Sequence, residues 1–141
     1  MRSRAVTATL ACAAVLLAAT VARGEFLVVV NKGNEVVEIS KSDLKRIFLG
    51  KLKEIGGEQV VATNQPLDSD IAREFLKDIL GMTPEEYKEY WLEQQVKAGG
   101  TAPRIMRTDD NVSSFVGELP GGVGYIAKVK EGSNVKVVPV K

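Results

Sequence analysis

The chain has 141 residues, with 19 Lys+Arg against 18 Asp+Glu, a single cysteine and no histidine. A net charge of +1 leaves no electrostatic footprint for nucleic acid. Without histidine the Ser-His-Asp, Cys-His and His-metal chemistries are excluded; scattered carboxylates at no defined spacing supply no other site, so the composition predicts no enzyme, no metal and no cofactor.

Arg2 and Arg4 precede an uncharged stretch from Ala5 to Ala22, which ends in Ala22-Arg23-Gly24; Glu25 is the first acidic residue. This pattern predicts a secretory signal over residues 1–24, cleaved after small residues, and a periplasmic domain over 25–141. Two other readings stay open. The run is about the minimum for a retained membrane anchor, and Cys12 is a candidate for lipid modification. Loss of Arg2, Arg4 and Arg23 leaves 16 basic against 18 acidic residues. Cys12 lies inside the signal, so the domain itself carries no thiol and no disulfide.

Phe26-Leu27-Val28-Val29-Val30 is a continuous apolar run with β-branched residues, which suits a strand covered on both faces. Asn31-Lys32-Gly33-Asn34 breaks it. Ser40 with Asp43 fits the start of a short helix that carries Leu44, Ile47 and Phe48 and closes at Gly50. Gly56-Gly57 marks a loop, and Gln59–Thr63 a second strand. Asp68-Ser69-Asp70 opens a helix striped by Ile71, Phe75, Leu76, Ile79 and Leu80 and stopped by Gly81. Thr83-Pro84-Glu85-Glu86 is the clearest helix start in the chain. That helix sets Tyr87, Tyr90 and Trp91 on one side and ends near Gly99-Gly100. Asp109 or Asp110 is expected to cap a further helix, with Val112, Phe115, Val116 and Leu119 inward. Strands are expected over Val123–Ala127 and Val135–Val140. Strands alternating with helices in one chain predict an α/β fold.

Several of these segments resemble the phosphate-binding proteins of ABC transporters, which are type II periplasmic binding proteins. They are Val28-Val29-Val30-Asn31-Lys32, Leu44-Lys45-Arg46-Ile47-Phe48-Leu49-Gly50-Lys51, Ile55-Gly56-Gly57, Glu86-Tyr87-Lys88-Glu89-Tyr90-Trp91 and Gly121-Gly122-Val123-Gly124-Tyr125-Ile126. The likeness runs from about Phe26 to Ile126. It implies one lobe of the two-lobed design, with a small mixed sheet flanked by helices. A full family member is about twice this length or more. Because the expected signal runs straight into the hinge-like strand, a single-lobe relative is expected.

The resemblance also implies a place for phosphate or another small anion. In the family this lobe offers an arginine at the end of the second strand and a Ser-Gly-Thr turn at the next helix start, where backbone N–H groups favour anions. Here Asn64 stands in the arginine's place and the turn reads Ser69-Asp70-Ile71. The anion-binding candidates are therefore Asn64, Ser69, Asp70 and Ile71. Of the turn only the serine matches, and the Asp70 carboxylate would oppose a dianion by about a few kcal/mol in a shielded site.

Each candidate has a plainer reading beside the functional one. Ser69 and Asp70 suit helix caps that need no ligand. Arg73 is a turn further on, and such a residue more often faces solvent. Tyr87, Tyr90 and Trp91 suit core packing as well as a ligand platform. Asn31 and Lys32, at the end of the hinge-like strand, are crevice candidates or a polar turn. Two function classes follow: an exported solute-binding module, or a module that kept the fold, lost the solute site and meets an envelope protein or a second copy of itself.

Overall fold

The first strand is built for burial on both sides. A computed structural model describes residues 26–141; the expected signal lies outside the described residues. In β1 (Leu27–Asn31), Val28 and Val30 face one apolar cluster and Val29 the other, all essentially inaccessible. The alternation of side chains along a strand turns one apolar run into contacts for two layers.

The remaining elements follow in order. They are α1 (Lys41–Phe48), a hairpin of β2 (Glu54–Ile55) and β3 (Glu58–Gln59), β4 (Val61–Asn64), α2 (Asp70–Phe75) running into a π-helical turn (Leu76–Leu80), and α3 (Pro84–Ala98). Then come β5 (Arg104–Ile105), α4 (Asp109–Glu118), β6 (Gly122–Ile126) and β7 (Val135–Val137). Five strands form one sheet in the order β5-β4-β6-β1-β7. β4 is parallel to both β5 and β6, while β1 runs antiparallel to β6 and β7, so the sheet is mixed.

Helices cover both faces. On one, Leu44, Ile47 and Phe48 of α1, Phe75, Leu76 and Ile79 of α2 and its extension, and Tyr87 of α3 meet Val28, Val30, Val123 and Tyr125. Phe75 stacks on Tyr125 with ring centroids 4.0 Å apart and meets Phe48 edge-on at 4.7 Å. On the other face α4 sets Val112 and Val116 against Val29, Ile126 and Val135. Gly124 makes that contact possible, because a Cβ there would lie 2.7 Å from Val112 Cγ1 and 2.9 Å from Thr63 Cγ2.

The helix starts at Ser40, Ser69 and Thr83 form as expected, each side chain accepting a first-turn backbone N–H. Several details differ. Thr108, not Asp109 or Asp110, caps α4, its hydroxyl accepting from Asn111 N at 3.1 Å. Phe115 and Leu119 are only half-buried, and Ser113 turns inward instead. Gly56-Gly57 is the turn of the β2–β3 hairpin; both glycines have positive φ, 60° and 83°, the geometry of a tight two-residue turn. The last strand stops at Val137. Pro139 has no N–H to continue the ladder, and only an isolated bridge joins Ile39 to Val140 beyond it.

Candidate functional site

Chain topology singles out one end of the sheet. From the C-terminal end of β4 the chain leaves toward α2 and α3 on one face. From the parallel end of neighbouring β5 it leaves toward α4 on the other. Connections departing to opposite faces open a crevice between two strand ends, which is where α/β sheets take ligands.

A cavity of about 580 Å³ lies at that point, lined by Pro66, Leu67 and Asp68 after β4, Ile105 and Arg107 from β5 onward, and Lys88 of α3. Lys88 and Arg107 are exposed and take part in no ion pair among the described residues. With Asp68 on the same wall, the lining carries two positive charges and one negative. A second trough of about 270 Å³ adjoins it, sharing Leu67, Lys88 and Ile105, and is floored by Asn64, Tyr87 and Trp91 with Leu92, Ala102 and Pro103 along its sides.

Asn64 ends β4 almost fully buried. Its Nδ2 donates to the Tyr87 hydroxyl at 3.0 Å, and its Oδ1 accepts from the Tyr125 hydroxyl at 2.9 Å. The Tyr87 hydroxyl donates onward to the Phe48 carbonyl at 3.1 Å. The backbone N–H of Gln65 donates to Tyr125 Oη, and the Gln65 side-chain amide to Asp109 Oδ1 at 2.9 Å. The other Asp109 oxygen accepts from the N–H groups of Ala127 and Lys128. This chain of bonds ties the ends of β4 and β6 to the start of α4 and fixes the trough floor. Burial raises both tyrosine pKa values, that of Tyr87 from 10.0 to about 12. Both rings are therefore neutral hydrogen-bonding groups at ordinary pH.

The expected site residues separate into distinct environments. Asn64 lines the trough. Ser69 caps α2 while its own hydroxyl proton goes to the Pro66 carbonyl, so it holds no spare donor. The Asp70 carboxylate is fully exposed and pairs with Arg73 at 3.3 Å. Ile71 packs against the core. None of the last three lines the crevice or the trough. Asn31 and Lys32 lie at the other end of the sheet, because β1 runs antiparallel to β6. The Asn31 amide there donates to the carbonyls of Val116 and Gly117 at the close of α4, and Lys32 is exposed. Lys88 and Arg107 were not singled out by the sequence. Arg107 follows a two-residue strand that leaves no periodic signal, and Lys88 stands among alternating helix charges.

The aromatic residues of α3 are mainly structural. Tyr87, Tyr90 and Trp91 donate to the Phe48 and Leu49 carbonyls at the end of α1, at 3.1, 2.7 and 3.3 Å. The Trp91 ring also lies against Gly50, where a Cβ would come within 2.8 Å of it and where φ is 75°. Two segments 40 residues apart that carry the family likeness are thus one contact.

No family model matches the chain. Among curated proteins it is 31% identical over 103 residues to the phosphate-binding protein PstS of Bacillus subtilis, an alignment that covers 70% of this chain and 29% of that protein. Among solved structures it superposes on an ABC-type phosphate transport receptor from Vibrio cholerae with a TM-score of 0.59 at 15% identity, covering 82% of this chain and 45% of that one. PstS from Borrelia burgdorferi gives a TM-score of 0.61 at 17% identity, with 82% and 47% covered. The chain therefore spans less than half the length of these proteins. Motifs in order, a mixed sheet between two helical layers and these alignments agree: the chain is a partial relative of the PstS-type phosphate-binding proteins, built as one α/β lobe of their design.

Proposed function

We propose that this chain is an exported solute-binding module that takes a small oxyanion, phosphate being the first candidate, in the crevice at the ends of β4 and β5. The observation that carries this reading is the coincidence of the topological switch point with a cavity bearing Lys88 and Arg107. The relatives' names, which are those of phosphate-binding and transport-receptor proteins, support the ligand class. In this reading Arg107 supplies a planar fork of donors to the oxyanion and Lys88 a mobile point charge. Asn64 holds the floor of the adjoining trough in place through the two tyrosines. Ser69, Asp70 and Ile71 shape the helix start beside the crevice.

An open site on one lobe leaves the anion partly hydrated, so affinity is expected to be modest, with Kd on the order of 0.1–1 mM. The periplasmic location and the signal over residues 1–24 belong to the same proposal, as does a binding rather than catalytic role. No observation favours the interaction-module reading over this one. Calorimetric titration of the purified chain with phosphate and sulfate tests the proposal. Saturable binding that the Arg107→Gln and Lys88→Gln changes weaken is expected. Absence of heat at millimolar anion would remove it.

A further inference from the structure

The trough beside the crevice has no part in holding a bare inorganic anion, yet its lining is predominantly apolar. Leu92 and Ile105 keep 62% and 49% of their surfaces exposed, and Val96, one helical turn beyond Leu92, keeps 80%. Among the described residues the exposed large hydrophobic residues are Val37, Leu92, Val96, Ile105, Val129 and Val137, and two of them, Leu92 and Ile105, line this one depression. Single exposed apolar residues are ordinary on a protein surface; a cluster beside a charged cavity is the form a ligand groove takes.

We infer that the crevice and trough together accept an organic oxyanion, a phosphate monoester with one compact apolar substituent, in preference to inorganic phosphate. The inference rests on the anion reading of the crevice and extends it. Three observations define this ligand. The two depressions adjoin, since Leu67, Lys88 and Ile105 border both. Their chemistry is graded: Lys88 and Arg107 mark the charged end, and Trp91, Leu92 and Pro103 the apolar end. The size of the apolar part then limits the substituent. An apolar cavity of about 150 Å³ accepts a benzene ring. The trough of about 270 Å³ accordingly suits one ring and its linkage, and is too small for a pair of acyl chains.

The test compares phenyl phosphate, methyl phosphate, inorganic phosphate and benzyl alcohol by calorimetry on the purified chain. Phenyl and methyl phosphate carry the same head group, so their ratio isolates the trough. Phenyl phosphate should bind about tenfold tighter than methyl phosphate, the worth of one partly buried ring. The Leu92→Ser change, at a side chain that folding leaves mostly exposed, should bring that ratio toward one. Equal affinity for the two esters would overturn the inference and leave the anion reading standing. Failure of all three phosphates to bind would overturn both. Benzyl alcohol binding as tightly as phenyl phosphate would show an apolar groove independent of the charged end, and would likewise overturn it.

Discussion

Asn64 decides how the two tyrosines behind the crevice are satisfied. Its Oδ1 receives the Tyr125 proton and its amide feeds the Tyr87 oxygen, all inside the aromatic core. A leucine, with the same branching, would leave the Tyr125 hydroxyl without an acceptor. Asn64→Leu should therefore destabilise by about 1–3 kcal/mol in urea unfolding. Adding Tyr125→Phe should cost less than the sum of the single changes, because the stranded hydroxyl is then gone. Strict additivity would dissolve the claimed network. Tyr87 carries a pH consequence. Burial raises its pKa from 10.0 to about 12, so the folded state keeps the proton to higher pH than the unfolded chain does. The contribution is complete below pH 10 and is lost as pH rises through about 12. Melting temperature followed from pH 8 to 12 should fall above 10, less steeply in Tyr87→Phe.

At the scale of elements, the legible parts were those whose local chemistry decides the outcome. Ser40, Ser69 and Thr83 sit before apolar periodicity, and each caps its helix as expected. The Val28–Val30 run has no polar face, and it became a strand buried on both sides. The capping of α4 was less legible because Thr108, Asp109 and Asp110 are all good cap residues in succession. Tertiary partners settled it: the Asp109 carboxylate is occupied by Ala127, Lys128 and Gln65, which leaves the cap to Thr108. β5 was invisible because two exposed residues carry no pattern, and only parallel pairing with β4 makes them a strand. The π-helical turn Leu76–Leu80 was likewise not legible. Phe75, Leu76, Ile79 and Leu80 fit one face of a regular helix equally well, so the apolar pattern carries no sign of the wider turn. The layer contact at Gly124 gives a prediction at this scale. Gly124→Ala forces a Cβ into Val112 and Thr63 and should cost about 1–3 kcal/mol through overpacking. A stability unchanged within error would mean that α4 sits farther from β6 than described.

For the whole molecule, sequence motifs reached the architecture but only part of the site. The Ile47-Phe48-Leu49-Gly50 and Tyr87–Trp91 segments were legible as family features, and their contact through the Phe48 and Leu49 carbonyls explains why they occur together. Matching positions one by one led to Asn64, Ser69, Asp70 and Ile71. Their side-chain groups are mostly engaged in capping, pairing and core bonds. Lys88 and Arg107 come together only through topology, from the middle of a helix and the end of an edge strand. In the proposed function an oxyanion sits between them. Residue-resolved amide NMR during a phosphate titration tests it most directly. Saturable shifts concentrated at Leu67, Asp68, Lys88, Ile105 and Arg107, reduced in Arg107→Gln, are expected. Unmoved signals at those positions, or shifts centred elsewhere in the chain, would contradict it.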